Sequence, residues 1–182
     1  MAPYNLALQR LVDQVTAIDH AREKLSSGPL NIQALVDGLN QLFPDQPQTV
    51  VRTMLPNLDA WLASESRQIR LENAFQHRIE FQTVWGPGIA LESADGGSSR
   101  LAFRHGAVLH VYRDGHGWMG AVAKAQSQVD FSQIYYNLQT IDPHADWYLH
   151  PSHRLLLCGS AKAPAQNLSR LSFEEFINII AK

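Results

Sequence analysis

A single cysteine in 182 residues, Cys158, has no partner within the chain, so this is not a disulfide scaffold. Charge is scarce as well. Asp, Glu, Lys and Arg make up 18% of the residues, where about 25% is usual in soluble domains. The formal charge is −2, and it is evenly spread: six Lys or Arg face eight Asp or Glu through Gln76, and nine of each follow. No basic cluster offers phosphates a grip, so neither nucleic acid nor an anionic membrane is an expected partner. Apolar runs stay well short of the roughly 20 residues that a membrane span needs. The first ten residues lack a basic stretch followed by an apolar one, which makes a soluble, cytoplasmic protein the expectation. Gly86-Pro87-Gly88 and Asp95-Gly96-Gly97 lack the spacing of a dinucleotide fingerprint or a P-loop, and no nucleotide cofactor is expected.

What is present is 45% hydrophobic residues, enough for a core, arranged with two different periods. Leu8, Leu11, Val12, Val15, Ile18 and Leu25 recur at helical steps up to Gly28-Pro29. Asn31 suits the cap of a second helix through Ile32, Leu35, Leu39 and Phe43, ending at Pro44. A third begins near Pro47, with Val50, Met54, Leu58 and Leu62 on its apolar side, and Pro56 is expected to kink or split it. Ser64 to His77 reads as a fourth helical segment. From Arg78 the period is 2. Ile79–Val84 is an expected strand, and Trp85-Gly86-Pro87-Gly88 an expected break. Asp95-Gly96-Gly97-Ser98 is expected to join strands Ile89–Ser93 and Arg100–His105. Asp114-Gly115-His116-Gly117 joins Ala107–Arg113 to Trp118–Ala123. The strand pattern returns in Ile134–Ile141, Trp147–His150 and Arg154–Cys158. Ser172-Phe173-Glu174-Glu175 has the form of a capping box opening a last helix. The expected class is α+β: a helical subdomain, 1–76, then an antiparallel β-meander with a C-terminal helix, 77–182, the two possibly sharing one core.

Seven of the eight histidines lie in the second half. His144, Asp146, His150 and His153 are the candidate metal ligands, being imidazoles and a carboxylate on a loop and a strand end. His110 shares a strand face with Val108 and Tyr112, which makes it the candidate general base, with Tyr112 and His105 beside it. Cys158 closes Leu155-Leu156-Leu157 and reads as a core residue rather than a nucleophile. Trp85, Trp118, Trp147 and Tyr148, near turns and strand starts, are the candidate anchors for a partner protein.

The cadence of Leu30–Ser64, helix, Pro-containing turn, helix, resembles the helix-turn-helix of bacterial winged-helix regulators, which would imply DNA binding by the second helix. Between Asn31 and Ala63, however, Arg52 is the sole cation, against Asp37, Asp45 and Asp59. The leading expectation is therefore a non-enzymatic protein-binding module, an adaptor, assembly factor, inhibitor or immunity-type protein, with homo-oligomerisation open. The alternatives are a small metal-dependent or His-based hydrolase, and a helix-turn-helix regulator with a ligand-sensing β domain.

Overall fold

The computed structural model describes residues 2–19, 32–162, 164–165 and 167–182. Among them the chain is mixed α+β, with six helices and one six-stranded, mostly antiparallel sheet. It divides into two compact units, Met1–Arg70 and Leu71–Lys182. No described helix is both long and apolar enough to cross a membrane. Leu25, the Gly28-Pro29 stop and the Asn31 cap lie outside the described residues.

The first unit holds α1 (Pro3–Asp19), α2 (Ile32–Leu42) and most of α3 (Pro47–Phe75). Ala7 and Leu11 of α1 pack with Leu62 and Ile69 of α3, while Leu39 of α2 packs with Val50 and Met54. Of the two outcomes expected at Pro56, a split does not occur, and the segment expected from Ser64 as a fourth helix continues α3 to Phe75. Proline removes one donor from the helical ladder. Here the apolar faces on both sides of it, Val50 and Met54 before and Leu62 and Ile69 after, are buried, and the helix propagates through.

The second unit is built on β1 (Ile79–Thr83), β2 (Gly86–Glu92), β3 (Leu109–Arg113), β4 (Met119–Ala123), β5 (Trp147–Leu149) and β6 (Leu155–Cys158), in the order β1-β2-β3-β4-β6-β5. The expected break at Trp85–Gly88 is narrower, because Gly86, Pro87 and Gly88 already pair with β1. Two expected strands are helices. Arg100–His105 falls in α4 (Ser98–Arg104), and Ile134–Ile141 in α5 (Ser132–Ile141). Consequently Asp95–Ser98 is not a hairpin turn. It opens a crossover, and β2 and β3 run parallel with Ile89 beside His110. The β3–β4 and β5–β6 hairpins form as read, antiparallel.

Alternation along the strands gives the sheet two faces. On one, Leu109, Val111, Ala121, Leu156 and Cys158 meet Ile134 and Leu138 of α5 and Phe173, Phe176, Ile177 and Ile180 of α6 (Phe173–Ala181). On the other, Ile89 and Leu91 meet α4 and the last turns of α3 through Leu71, Phe75, Leu101 and Ala102. The capping box is present: the Glu175 amide donates to Ser172 Oγ (3.1 Å) and the Ser172 amide to Glu175 Oε2 (2.7 Å). Ser172→Ala is expected to cost about 1 kcal/mol, measurable as a lower denaturation midpoint with unchanged m-value.

Candidate functional site

His110 sits in the middle of β3 with its side chain on the α4 face, fully buried. Its Nδ1 lies 2.9 Å from the Ile89 carbonyl oxygen. A carbonyl only accepts, so Nδ1 carries the proton and Nε2 offers a lone pair. The Ser98 hydroxyl, 2.8 Å away, donates to that lone pair. Burial outweighs the favourable carbonyl bond and lowers the imidazole pKa from 6.5 to about 4, so His110 is neutral at pH 7.

The crossover puts Ser98 there. Gly97, at φ +103°, takes the left-handed conformation that favours glycine, and α4 starts at the next residue. Ser98 is part-exposed and lines a cavity of about 300 Å³. Val122 of β4, Leu155 of β6 and Tyr112 of β3 supply apolar wall, with Asp95, Arg113 and Asp114 on the rim. Tyr112 stacks towards His110, ring centroids 6.2 Å apart. Burial, aided by the Asp114 charge, pushes its phenol up to about 12. Arg113 is ion-paired with Glu92. Asp114 Oδ1 accepts from the His116 and Trp118 amides, closing the β3–β4 turn.

Of the sequence candidates for acid–base chemistry, His110 and Tyr112 are brought together. His105 is not: it follows α4 as its cap, is exposed, and rests its ring on Phe75 at 4.8 Å. Ser98 was hidden in an expected turn. The signal that could have found it is a glycine pair followed by a hydroxyl residue at a strand-to-helix junction.

Three of the four candidate metal ligands take separate partners, and the fourth points to solvent. Asp146 accepts from the Asn167 amide at 2.9 Å, His150 Nδ1 meets Ser152 Oγ at 2.9 Å, and His153 Nδ1 meets Ser132 Oγ at 2.8 Å, while His144 is exposed. Among the described residues, no group of three or more His, Cys, Asp or Glu is placed to hold a metal ion.

The four candidate aromatic anchors differ in exposure. Trp147 is core, its ring 4.9 Å from Phe176 and its Nε1 donating to Asp142 at 3.1 Å. Trp85 turns edge-on to buried Phe131 at 6.1 Å, and Trp118 fills the space above Gly159 and stacks on His116. Tyr148 alone of the four is exposed. Cys158 is buried, and its Sγ donates to the Asn167 carbonyl, consistent with a core thiol. Burial raises its pKa, away from a reactive thiolate.

Among the described residues of the first unit, large uncovered apolar side chains lie on its helices. Tyr4, Leu8, Val12 and Val15 of α1 are 54%, 42%, 49% and 42% exposed. At 3.6 residues per turn these four positions fall within about 80° of one another, beside the buried pair Ala7 and Leu11. Leu35 and Leu42 of α2, and Val51 and Leu55 of α3, are also exposed. The start of α3, which the regulator resemblance would place in a DNA groove, thus shows aliphatic side chains around Arg52 where phosphate contact needs cations. Comparison with family models, with curated proteins and with solved structures finds no match for this chain.

Proposed function

We propose that the protein is a binding module that docks another protein on its helical unit. The observation that carries this reading is the α1 stripe Tyr4, Leu8, Val12 and Val15. Each side chain is more than two-fifths exposed, and all lie on one face of the helix. An amphipathic helix normally turns its whole apolar arc to the core. Among the described side chains of α1, Ala7 and Leu11 are the buried ones, and contiguous uncovered apolar surface marks interaction sites. The low and balanced charge fits an uncharged contact better than a polyanion. The reading moves the docking surface from the tryptophans to the helices.

The test is a photo-crosslinking residue in place of Val12, expressed in the source cell. A crosslink to a different polypeptide, lost in the Leu8→Ser/Val15→Ser background, is the expected result. Crosslinks only to a second copy would replace the partner with self-association, and none at all would overturn the reading. Because the stripe is exposed, the double serine variant is expected to unfold within about 0.5 kcal/mol per substitution of the parent, which chemical denaturation checks.

A further inference from the structure

We propose that Ser98, on the wall of a cavity in the second unit, and the buried His110 behind it form a nucleophilic pair built to hydrolyse short, uncharged acyl esters. This adds an activity to a chain read above as a binding module, and it stands on separate residues.

Three features that nucleophilic catalysis needs coincide here. The Ser98 hydroxyl points its proton at Nε2 of His110, 2.8 Å away. The opposite ring nitrogen is anchored 2.9 Å from the Ile89 carbonyl oxygen, which fixes the tautomer as an orienting partner does in a hydrolytic triad. The ring is fully buried and cannot swing away, whereas Ser98 is part-exposed on a cavity of about 300 Å³. The other Ser–His contacts lack this combination. His153 meets both Ser132 Oγ and Asp130 Oδ2 through the same nitrogen, and His150 touches Ser152 within one turn at the surface.

The chemistry balances with water as the only co-reactant. Ser98 Oγ attacks the ester carbonyl carbon while its proton passes to His110 Nε2. Collapse of the tetrahedral adduct breaks the bond to the leaving oxygen, which takes that proton and departs as the alcohol, leaving an acyl–Ser98. Water then attacks the acyl carbon and gives a proton to Nε2. Collapse releases the carboxylic acid, and Ser98 Oγ recovers its proton. Burial keeps the imidazole neutral, so the Nε2 lone pair is free to accept, and makes it a weaker base than a solvated histidine. Acylation is accordingly expected to favour good leaving groups such as p-nitrophenolate over simple alcohols.

Substrate class follows from the walls. Tyr112, Val122 and Leu155 suit a short acyl chain. Asp95 and Asp114 border the cavity, and the one guanidinium there, Arg113, is already paired with Glu92, so an anionic acyl group is disfavoured.

The test treats the purified full chain with a fluorophosphonate probe and locates any adduct by peptide mass. One adduct, on Ser98, is expected, together with p-nitrophenyl acetate hydrolysis at least about 100-fold above that of Ser98→Ala. Absence of a Ser98 adduct on the wild-type chain overturns the proposal, and this arm needs no variant to fold. Hydrolysis equal in wild type and a folded Ser98→Ala overturns it too, and would leave Ser98 as a hydrogen-bond partner for a buried histidine.

Discussion

Lowering the pH from 7 to 4 is expected to remove about 3 kcal/mol of folding stability through His110 alone. In the folded chain burial holds this imidazole near 4, whereas a freely solvated ring ordinarily titrates at 6.5. The unfolded chain therefore takes up a proton on this residue as the pH falls below 6.5, and the folded chain does not follow until about pH 4. The neutral-histidine contribution is complete above about pH 6.5, is lost progressively between there and 4, and levels off below. A difference of about 2.5 pKa units at about 1.4 kcal/mol per unit gives the size. That is a large part of the 5–15 kcal/mol a domain of this kind has in total. His110→Gln keeps a donor and an acceptor but does not titrate. Its deficit against wild type in urea unfolding is expected to be widest at pH 7 and to shrink by about 3 kcal/mol at pH 4. Parallel stability–pH curves for the two proteins would show that His110 is not held neutral by the fold.

The same residue shows how far the site was legible. Alternation of Val108, His110 and Tyr112 against Leu109 and Val111 was enough to place His110 on one sheet face with Tyr112. The partner on that face was not legible, because it depends on the crossover. Asp95-Gly96-Gly97 carries a strong hairpin signal, and the seven residues of α4 are too few to display a helical period. Leu101 and Ala102, adjacent and both buried, are compatible with either strand or helix until the neighbours Phe75 and Ile89 are known. α5 escaped for a related reason: Ile134 and Leu138 carry its true four-residue step, but exposed Tyr136 and Ile141 blur it. Where local chemistry decides, the reading succeeded. The Asp114 carboxylate closes the β3–β4 turn onto two amides, and Ser172 with Glu175 caps α6. Trp147, expected among the surface anchors, is core instead, because burial of a large aromatic is a property of what packs over it, and Trp147 is covered by Phe176.

Gly120→Ala is expected to cost about 3 kcal/mol and to distort the cavity wall, whereas Gly88→Ala is expected to cost only about 1 kcal/mol. Both glycines lie in strands beneath an aromatic ring, and the tighter contact is at Gly88, where an added Cβ would stand 2.6 Å from Phe81 Cζ. The distances alone would rank Gly88 first. What yields matters more. Phe81 is a half-buried side chain on edge strand β1, and the atoms met are the far end of its ring, which can swing aside without moving main chain. At Gly120 the Cβ would meet the Leu156 carbonyl oxygen at 2.7 Å and Tyr112 Oη at 2.7 Å. The first is main chain of β6, hydrogen-bonded to β4 on one side and β5 on the other, so relief means parting central strands. The second belongs to the wall beside Ser98 and His110, so any shift of Tyr112 reaches the cavity. Denaturant unfolding of the two variants checks the ranking, and fluorophosphonate labelling of Ser98 in each reports on the cavity. Equal costs would mean that β4 and β6 separate as easily as a phenyl ring turns, which strands paired on both sides do not allow.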